Sequence, residues 1–354
     1  MIVLAAAIAA LALSLFIVVP GPTPGLFALS VGVTELWPLV ALLDLAALAG
    51  ALSIRAHNVR TAASFCALAA VACSLVPLGS YLADGPRVPL RSLLAPASRN
   101  AGIGVTALGP HGMLVYGWSP ANVRRPVVIA IYGGAWQRGN PASDADFNRA
   151  LASAGFCVVA INYRHAPAAR WPAQRTDALV ALDWVRHHAA SFGGDARHIS
   201  VLGHSSGAQI ALSMAAARPR AFTSVVVYES PVDLRLGYLF PVQPDIIHAR
   251  EIMGALCGGA PAQAPACYRD ASPRFEARRG MPPVLMVVAG RDHVVNLAYE
   301  GVLRDALRRN GVAVSYLQLP WADHAFETVA YGWHGRIAMW YVRRFLRLAN
   351  HMQT

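Results

Sequence analysis

Short, mostly apolar runs rich in β-branched residues alternate with helix-patterned stretches through the last two thirds of this chain. That alternation restricts the possible folds more than any other feature. The runs are Val127-Val128-Ile129-Ala130-Ile131, Phe156 to Asn162, Ile199 to Leu202, Ser224 to Tyr228, Pro283 to Ala289 and Ala313 to Leu319. A strand with one wet face alternates apolar and polar residues, whereas a continuous apolar run predicts burial on both faces. Between the runs, Thr176 to Ala189 carries apolar residues at helical spacing (Ala178, Leu179, Leu182, Val185, Ala189), and Ala208 to Ala217 has helical composition. The reading is α/β: a mostly parallel sheet covered by helices on both sides.

The first 84 residues have a different character. Ile2 to Val19 is 18 residues without a charge, about 27 Å as a helix and just enough for a bilayer core. Leu36 to Ile54 contains one acid, Asp44, and Thr61 to Leu82 contains no charge. The expectation is an N-terminal membrane region over 1–84 with about three transmembrane helices, near 2–19, 36–54 and 61–82. A linker over 85–110, marked by Pro86, Pro89 and Pro96, then leads to a catalytic domain over 111–354. A cleaved signal peptide fits less well, because no basic residue precedes the first run and no clear cleavage site follows it. Arg55 and Arg60 between the second and third runs put that loop in the cytoplasm and the catalytic domain outside, although Arg87, Arg91 and Arg99 vote the other way. Cys257 and Cys267, ten apart in a Gly/Pro/Ala-rich loop, suit a disulfide and so an oxidising, non-cytoplasmic compartment. Asp44 reads as an interior-facing acid bonded to a neighbouring helix.

A net charge of +11 invites a nucleic-acid partner. All 30 basic residues are Arg, however, and they are scattered as singles and short pairs, so no nucleic-acid partner is expected. Cys66, Cys73 and Cys157 lie in apolar runs and read as core; no Cys/His spacing suggests a metal site.

Gly203-His204-Ser205-Ser206-Gly207 is a G-x-S-x-G pattern placed where the Ile199 to Leu202 strand gives way to a helix. This context makes Ser205 the nucleophile candidate, raised on a sharp turn that Gly203 and Gly207 permit. A serine hydroxyl needs a base, and the base an orienting acid. Asp292 follows the Pro283 to Ala289 strand, and His324 follows the Ala313 to Leu319 strand. Both lie at strand ends on the serine's edge, in the order Ser, acid, His. Gly133 and Gly134, after the Val127 to Ile131 strand, together with the Ser206 amide form the candidate oxyanion hole, with Ala135 a possible substitute. His293 and His204 adjoin other candidates and point elsewhere. His111, His165, His187, His188 and His198 read as surface or packing residues. Asp233 is the runner-up acid, and Asp323 reads as loop-shaping.

"IYGGAWQRG", "INYRHAPAARWPAQRTDALVALDWV" and "GHSSGAQ" together resemble the hormone-sensitive-lipase-like and feruloyl-esterase-like branch of the α/β hydrolases, from about Pro126 onward. The resemblance implies an α/β-hydrolase fold and a cofactor-free carboxylic ester hydrolase, working through an acyl-enzyme on a small-molecule ester. The branch usually has His where this chain has Tyr132, which bears on substrate class. An acyltransferase using the same acyl-enzyme and a formamidase-type amide hydrolase stay open as alternatives. The Pro231 to Arg279 segment, with Leu236, Tyr238, Leu239 and Phe240, is expected to wall the acyl pocket, and the lipid bilayer to hold the N-terminal helices.

Overall fold

The apolar runs do become the interior of a sheet. A computed structural model describes residues 1–89, 91, 93, 105–109, 112–118, 124–329 and 331–352. Pro96, Arg99 and His111, named above, lie outside these. Among the described residues one sheet has the strands β1 (Val105–Leu108), β2 (Met113–Tyr116), β3 (Arg125–Ile131), β4 (Cys157–Ala160), β5 (Gly194–His204), β6 (Ser224–Tyr228), β7 (Val284–Ala289) and β8 (Val314–Leu319). Their spatial order is β1-β2-β4-β3-β5-β6-β7-β8. β1 pairs antiparallel with β2, and β2 with β4; all later neighbours are parallel. The first strand therefore falls inside the 85–110 stretch expected as linker.

Strand periodicity splits the core. Val127, Ile129 and Ile131 of β3 face one side, while Val128 and Ala130 face the other, and all are buried. The region before the sheet holds helices α1 (Ile2–Val18), α2 (Pro24–Glu35), α3 (Trp37–Leu52) and α4 (His57–Asp84). Those around the sheet are α5 (Ala145–Ser153), α6 (Ala173–His188), α7 (Ser206–Ala217), α8 (Leu234–Leu239), α9 (Ala249–Cys257), α10 (Pro265–Asp270), α11 (Pro273–Glu276), α12 (Leu297–Arg309) and α13 (Trp333–Ala349). α6, α7 and α12 cover the first face of the sheet; α5 and α13 cover the second. The sheet order reverses at β3, between β4 and β5. In such sheets, ligands bind at the carboxyl edge beside this reversal.

The N-terminal helices correct the expectation of three transmembrane spans near 2–19, 36–54 and 61–82. By length and composition, one helix among the described residues, α4, can cross a bilayer. The α2–α3 pair, bent by 81°, makes a second only if both halves count as one span. The first run stops helically at Val18, since Val19 turns extended ahead of Pro20. The second begins on a kink at Leu36, with Pro38 in the first turn of α3, and ends at Leu52. The unexpected α2 starts at Pro24, behind a Thr23 side chain that accepts from the Leu26 amide.

α1, α3 and α4 pack as a bundle in two layers. Ala7, Ala51, Ala63 and Ala67 make a close-packed layer at the end away from the sheet. Ile17, Val33, Trp37 and Val40 make the layer next to it. Asp44 accepts a 2.8 Å hydrogen bond from Ser14 of α1, both buried, so this acid is a helix-to-helix tie. The outer faces are greasy and uncovered: Phe65 is 72% exposed and Leu42 63%.

The bundle is fastened to the sheet domain by polar contacts in an apolar setting. Glu35, at the end of α2, is 1% exposed. Its carboxylate accepts from the His334 amide at 2.9 Å and the Gly335 amide at 3.3 Å, and it pairs with His334 Nδ1 at 2.6 Å. Glu35 thus caps the positive end of α13, where four amides would otherwise lack partners. Trp333 packs edge-on to Trp37 and Tyr81 beside this cap. Breaking a buried pair by deleting one partner costs roughly 3–5 kcal/mol. Glu35→Ala is therefore expected to lower unfolding stability by about that amount, read as a fall in the urea midpoint at unchanged m-value. A shift under about 1 kcal/mol would mean that the cap is solvated rather than structural.

Candidate active site

The elbow is built from steric exclusion. β5 ends at His204, α7 begins at Ser206, and Ser205 between them has φ 51° and ψ −119°. That backbone is uncommon for a residue with a Cβ and is held by its neighbours. The Ser205 amide donates to the Tyr228 carbonyl at 2.9 Å. A Cβ on Gly207 would land on the carbonyls of Ile131 and Tyr132, and one on Gly203 would land on Gly207. Only glycine lets α7 enter this close to β3. The Ser205 side chain consequently stands at the carboxyl edge, at the amino end of α7.

His324, on the loop after β8, meets it there. His324 Nε2 lies 3.0 Å from Ser205 Oγ. Its Nδ1 lies 2.9 Å from Asp292 Oδ2, on the loop after β7. Asp292 is held by its other oxygen, which accepts from the Val294 and Val295 amides at 2.8 and 2.7 Å. Burial opposes protonation of His324, but the Asp292 carboxylate overrides it, with Glu327 and Asp323 adding to the effect. Its pKa therefore sits above the ordinary imidazole value.

The other candidates resolve by geometry. His293 pairs with Asp323 at 2.6 Å, and Asp323 also accepts from the His293 and His324 amides at 3.0 and 2.8 Å. Asp323 is the loop-shaping residue. Asp233 caps α8 and pairs with Arg274 at 2.8 Å, so it does not serve His324. His204 turns away from the nucleophile to a buried pair with Glu327 at 3.0 Å. Burial works against charge on both, but the pairing holds Glu327 below the ordinary carboxylate range; Asp144 and Glu327 together hold His204 above the imidazole value.

Two site residues were not singled out from sequence. Glu229 directly follows β6, and its Oε2 lies 3.4 Å from His324 Nδ1 while accepting from the Ala325 amide at 2.7 Å. Glu327 is the other. The available signal for Glu229 was an acid at the very end of an apolar strand run, on the same edge as Ser205 and Asp292.

Gly133, Gly134 and Ala135 follow β3. Gly133 sits against Ser205, where an added Cβ would stand 3.2 Å from the serine Cβ. Gly134 has φ 123° and folds the loop back on Arg138, and Ala135, with φ 57°, reaches the cavity beside Ser205 and Ser206. Tyr132 braces this loop from behind. Its hydroxyl donates to Asn162 Oδ1 at 2.6 Å and lies 3.0 Å from His165 Nε2, and its ring stacks on Tyr163. Burial pushes the Tyr132 phenol up to about 12 and His165 down, so both stay neutral.

The cavity over Ser205 has a volume of about 60 Å³, room for a few small groups. Its lining includes Trp136, Val232, Phe240, Ile252, Met253 and Val294, nearly all apolar. Several walls come from the segment between Pro231 and Arg279. Phe240 lines the cavity; Leu236, Tyr238 and Leu239 are not among its lining residues. Cys257 and Cys267 form a disulfide, with Cα atoms 5.6 Å apart, that ties α9 to α10 within this wall.

A parallel sheet with a serine elbow at its switch point and an imidazole arriving from the last strand defines an α/β-hydrolase fold. Solved structures agree on that fold. Esterase B from Lactobacillus rhamnosis superposes with a TM-score of 0.61 at 19% identity, over 77% of this chain and 91% of that one. Esterase LipW from Mycobacterium marinum superposes with a TM-score of 0.59 at 22% identity, over 73% and 87%. The BD-FAE family model matches residues 115–307, more than half of the chain, and the chain belongs to that family. Among curated relatives, the probable carboxylic ester hydrolase LipM of Mycobacterium tuberculosis is 32% identical over 215 residues, 57% of this chain and 49% of that protein. Esterase LipQ of the same organism is 29% identical over 219 residues, 58% and 52%. The chain spans about half the length of these relatives.

If the close approach of α7 to β3 holds the elbow, Gly207→Ala must push the helix off the strand. Overpacking of this kind costs roughly 1–3 kcal/mol or more, and the strained Ser205 backbone should relax with it. The expected readout is a lowered melting temperature together with lost fluorophosphonate labelling. A stable variant that labels at the wild-type rate would contradict this account of the elbow.

Proposed function

We propose that this chain is a serine hydrolase cleaving carboxylic esters through an acyl-enzyme. The observation that carries the reading is the continuous alignment Ser205 Oγ, His324 Nε2, His324 Nδ1, Asp292 Oδ2, with steps of 3.0 and 2.9 Å. The naming of relatives as esterases and carboxylic ester hydrolases supports it.

In this reading Asp292 accepts the Nδ1 hydrogen, leaving the Nε2 lone pair to take the Ser205 proton. The serine oxygen attacks the ester carbonyl, and the resulting oxyanion is met by the Ser206 amide and by amides of the Gly133-Gly134-Ala135 loop. Imidazolium His324 then protonates the leaving alkoxide. A water that gives its proton to the same Nε2 attacks the acyl-enzyme and releases the acid. The small apolar cavity suits a short acyl group or a slim alkyl portion, because each polar atom placed there would lose its water without finding a partner. Ser205→Ala is expected to cut kcat on a short p-nitrophenyl ester by about 10⁶-fold while leaving the fold intact. A variant that kept its rate would refute the assignment.

The N-terminal bundle anchors this hydrolase to a bilayer, with α4 as its membrane-inserted element. Support comes from the large apolar side chains on its outer faces, including Leu39, Leu42, Leu43, Phe65 and Leu68, all more than half exposed. Arg55 and Arg60 sit at the end of the bundle away from the sheet domain, which favours a cytoplasmic tip and an outer catalytic domain. The Cys257–Cys267 disulfide agrees with an oxidising side. The full chain is expected to stay with membranes through alkaline carbonate washing and to dissolve in detergent; release by carbonate alone would overturn the anchoring.

A further inference from the structure

Two carboxylates converge on one imidazole nitrogen. Asp292 Oδ2 is 2.9 Å from His324 Nδ1, and Glu229 Oε2 is 3.4 Å from it. Nδ1 carries a single hydrogen, so one carboxylate at a time can accept it. Nothing in the mechanism above uses Glu229, although it is 1% exposed and sits on a strained backbone with φ 50°. Glu229 Oε2 takes the Ala325 amide, and Oε1 has no hydrogen-bond partner among the described residues.

We propose that Glu229 is a reserve orienting acid for His324, idle while the nearer Asp292 is in place and able to replace it when Asp292 is lost. This rests on the Ser205–His324 reading given above.

The electrostatics explain why Glu229 is idle. Asp292 faces it from the β7 loop, and Glu327, Asp323 and His324 face it from the loop after β8. His204 lies on the elbow, paired with Glu327, and buried Glu300 on α12 faces Asp292. Arg291, next to Asp292 in the chain, is committed to the carbonyls of Ile17 and Val18. Burial, then the charges of Glu327 and Asp292, push the Glu229 carboxyl well above the carboxylate range, which disfavours a second anion beside Asp292. Removing Asp292 removes one of those charges. Glu229 Oε2, already 3.4 Å from Nδ1, is then the remaining side-chain acceptor for its hydrogen among the described residues. No covalent bond changes, and Glu229 acts only through the imidazole, as a positioning residue.

The test is a double-mutant cycle on the full chain in detergent, with a short p-nitrophenyl ester. Losing a sole orienting acid costs about 10⁴-fold in kcat. With a reserve, Asp292→Ala should lose no more than ~10²-fold in kcat, with KM unchanged, and adding Glu229→Gln should bring the loss to the full ~10⁴. Asp292→Ser runs alongside, its hydroxyl keeping an acceptor for the Val294 and Val295 amides, so that a folding failure of alanine does not end the test. A loss of ~10⁴ from the single Asp292 substitution, or no further loss on adding Glu229→Gln, overturns the proposal. Wild-type activity abolished by Ser205→Ala alongside such a result would sink the Glu229 assignment alone. An inactive wild type would take the ester-hydrolase reading down with it.

Discussion

The contact between Gly207 and the carbonyls of Ile131 and Tyr132 sets the geometry of everything around it. Because α7 can lie that close to β3, the chain between β5 and α7 must turn within one residue, and that residue is Ser205. The same closeness places Gly133 under the serine and brings Ala135 to the cavity. Nucleophile and prospective oxyanion donors are thus positioned by a single steric fact. Three separate loops then need only supply an acid, a base and a wall. Loops on a rigid sheet edge can diverge in sequence without disturbing that contact, which accords with a fold shared at 19–22% identity.

Electrostatics impose a second constraint. Five carboxyls, those of Asp144, Glu229, Asp292, Asp323 and Glu327, lie around two buried histidines, His204 and His324. Such a group cannot be fully ionised, because each added anion raises the cost of the next in a medium that screens poorly. The structure divides the load. Glu327 is paired with His204, Asp292 is met by two backbone amides, and burial pushes the Glu229 carboxyl well above the carboxylate range. The result favours positive charge on His324 while adding few full charges to the interior. A histidine beside the nucleophile, which sequence spacing treats as a bystander, is in this respect a counterion for the site.

The parallel core was legible because burial on both faces leaves apolar runs, as in β4, β6, β7 and most of β3. The two strands at the other edge, β1 and β2, were not, nor was the first part of the central β5. β1 is exposed along most of its length, and so carries no hydrophobic signal. The first part of β5, Gly194 to His198, is polar and enters the sheet across an irregular register with β3. Ser205, Asp292 and His324 could be placed because each follows a recognisable strand on one edge. Glu229 escaped because Asp233, four residues on, reads in sequence as the acid offered by this strand end, and what separates them is direction. Asp233 turns to cap α8, whereas Glu229 points at the imidazole. Side-chain direction at a strand end depends on backbone angles that composition does not encode. The N-terminal helices failed for a related reason. Apolar length was counted correctly, but the kink at Leu36 and the extended Val19 are local backbone choices that divide it into shorter pieces.

Those shorter pieces acquire a purpose once their contacts are followed. The last turn of α1 leaves its carbonyls without helical partners. Arg291 takes those of Ile17 and Val18 at 2.8 Å, and the Trp321 indole also donates to Ile17 at 3.0 Å. Arg291 immediately precedes Asp292, and Trp321 lies three residues before His324. The guanidinium packs over the Trp321 ring at 4.1 Å, joining the two loops. Phe27 of α2 meets the His293 ring, which is tied through Asp323 to the His324 amide. A helix end that would otherwise be unsatisfied is therefore completed by the loops that carry Asp292 and His324. Loops are ordinarily the least stable parts of a domain, yet a site held to a few tenths of an ångström requires them to be fixed. The bundle is thus better regarded as part of the active-site scaffold than as a detachable leash: the contacts that seat it are the contacts that hold the imidazole and its acid in line.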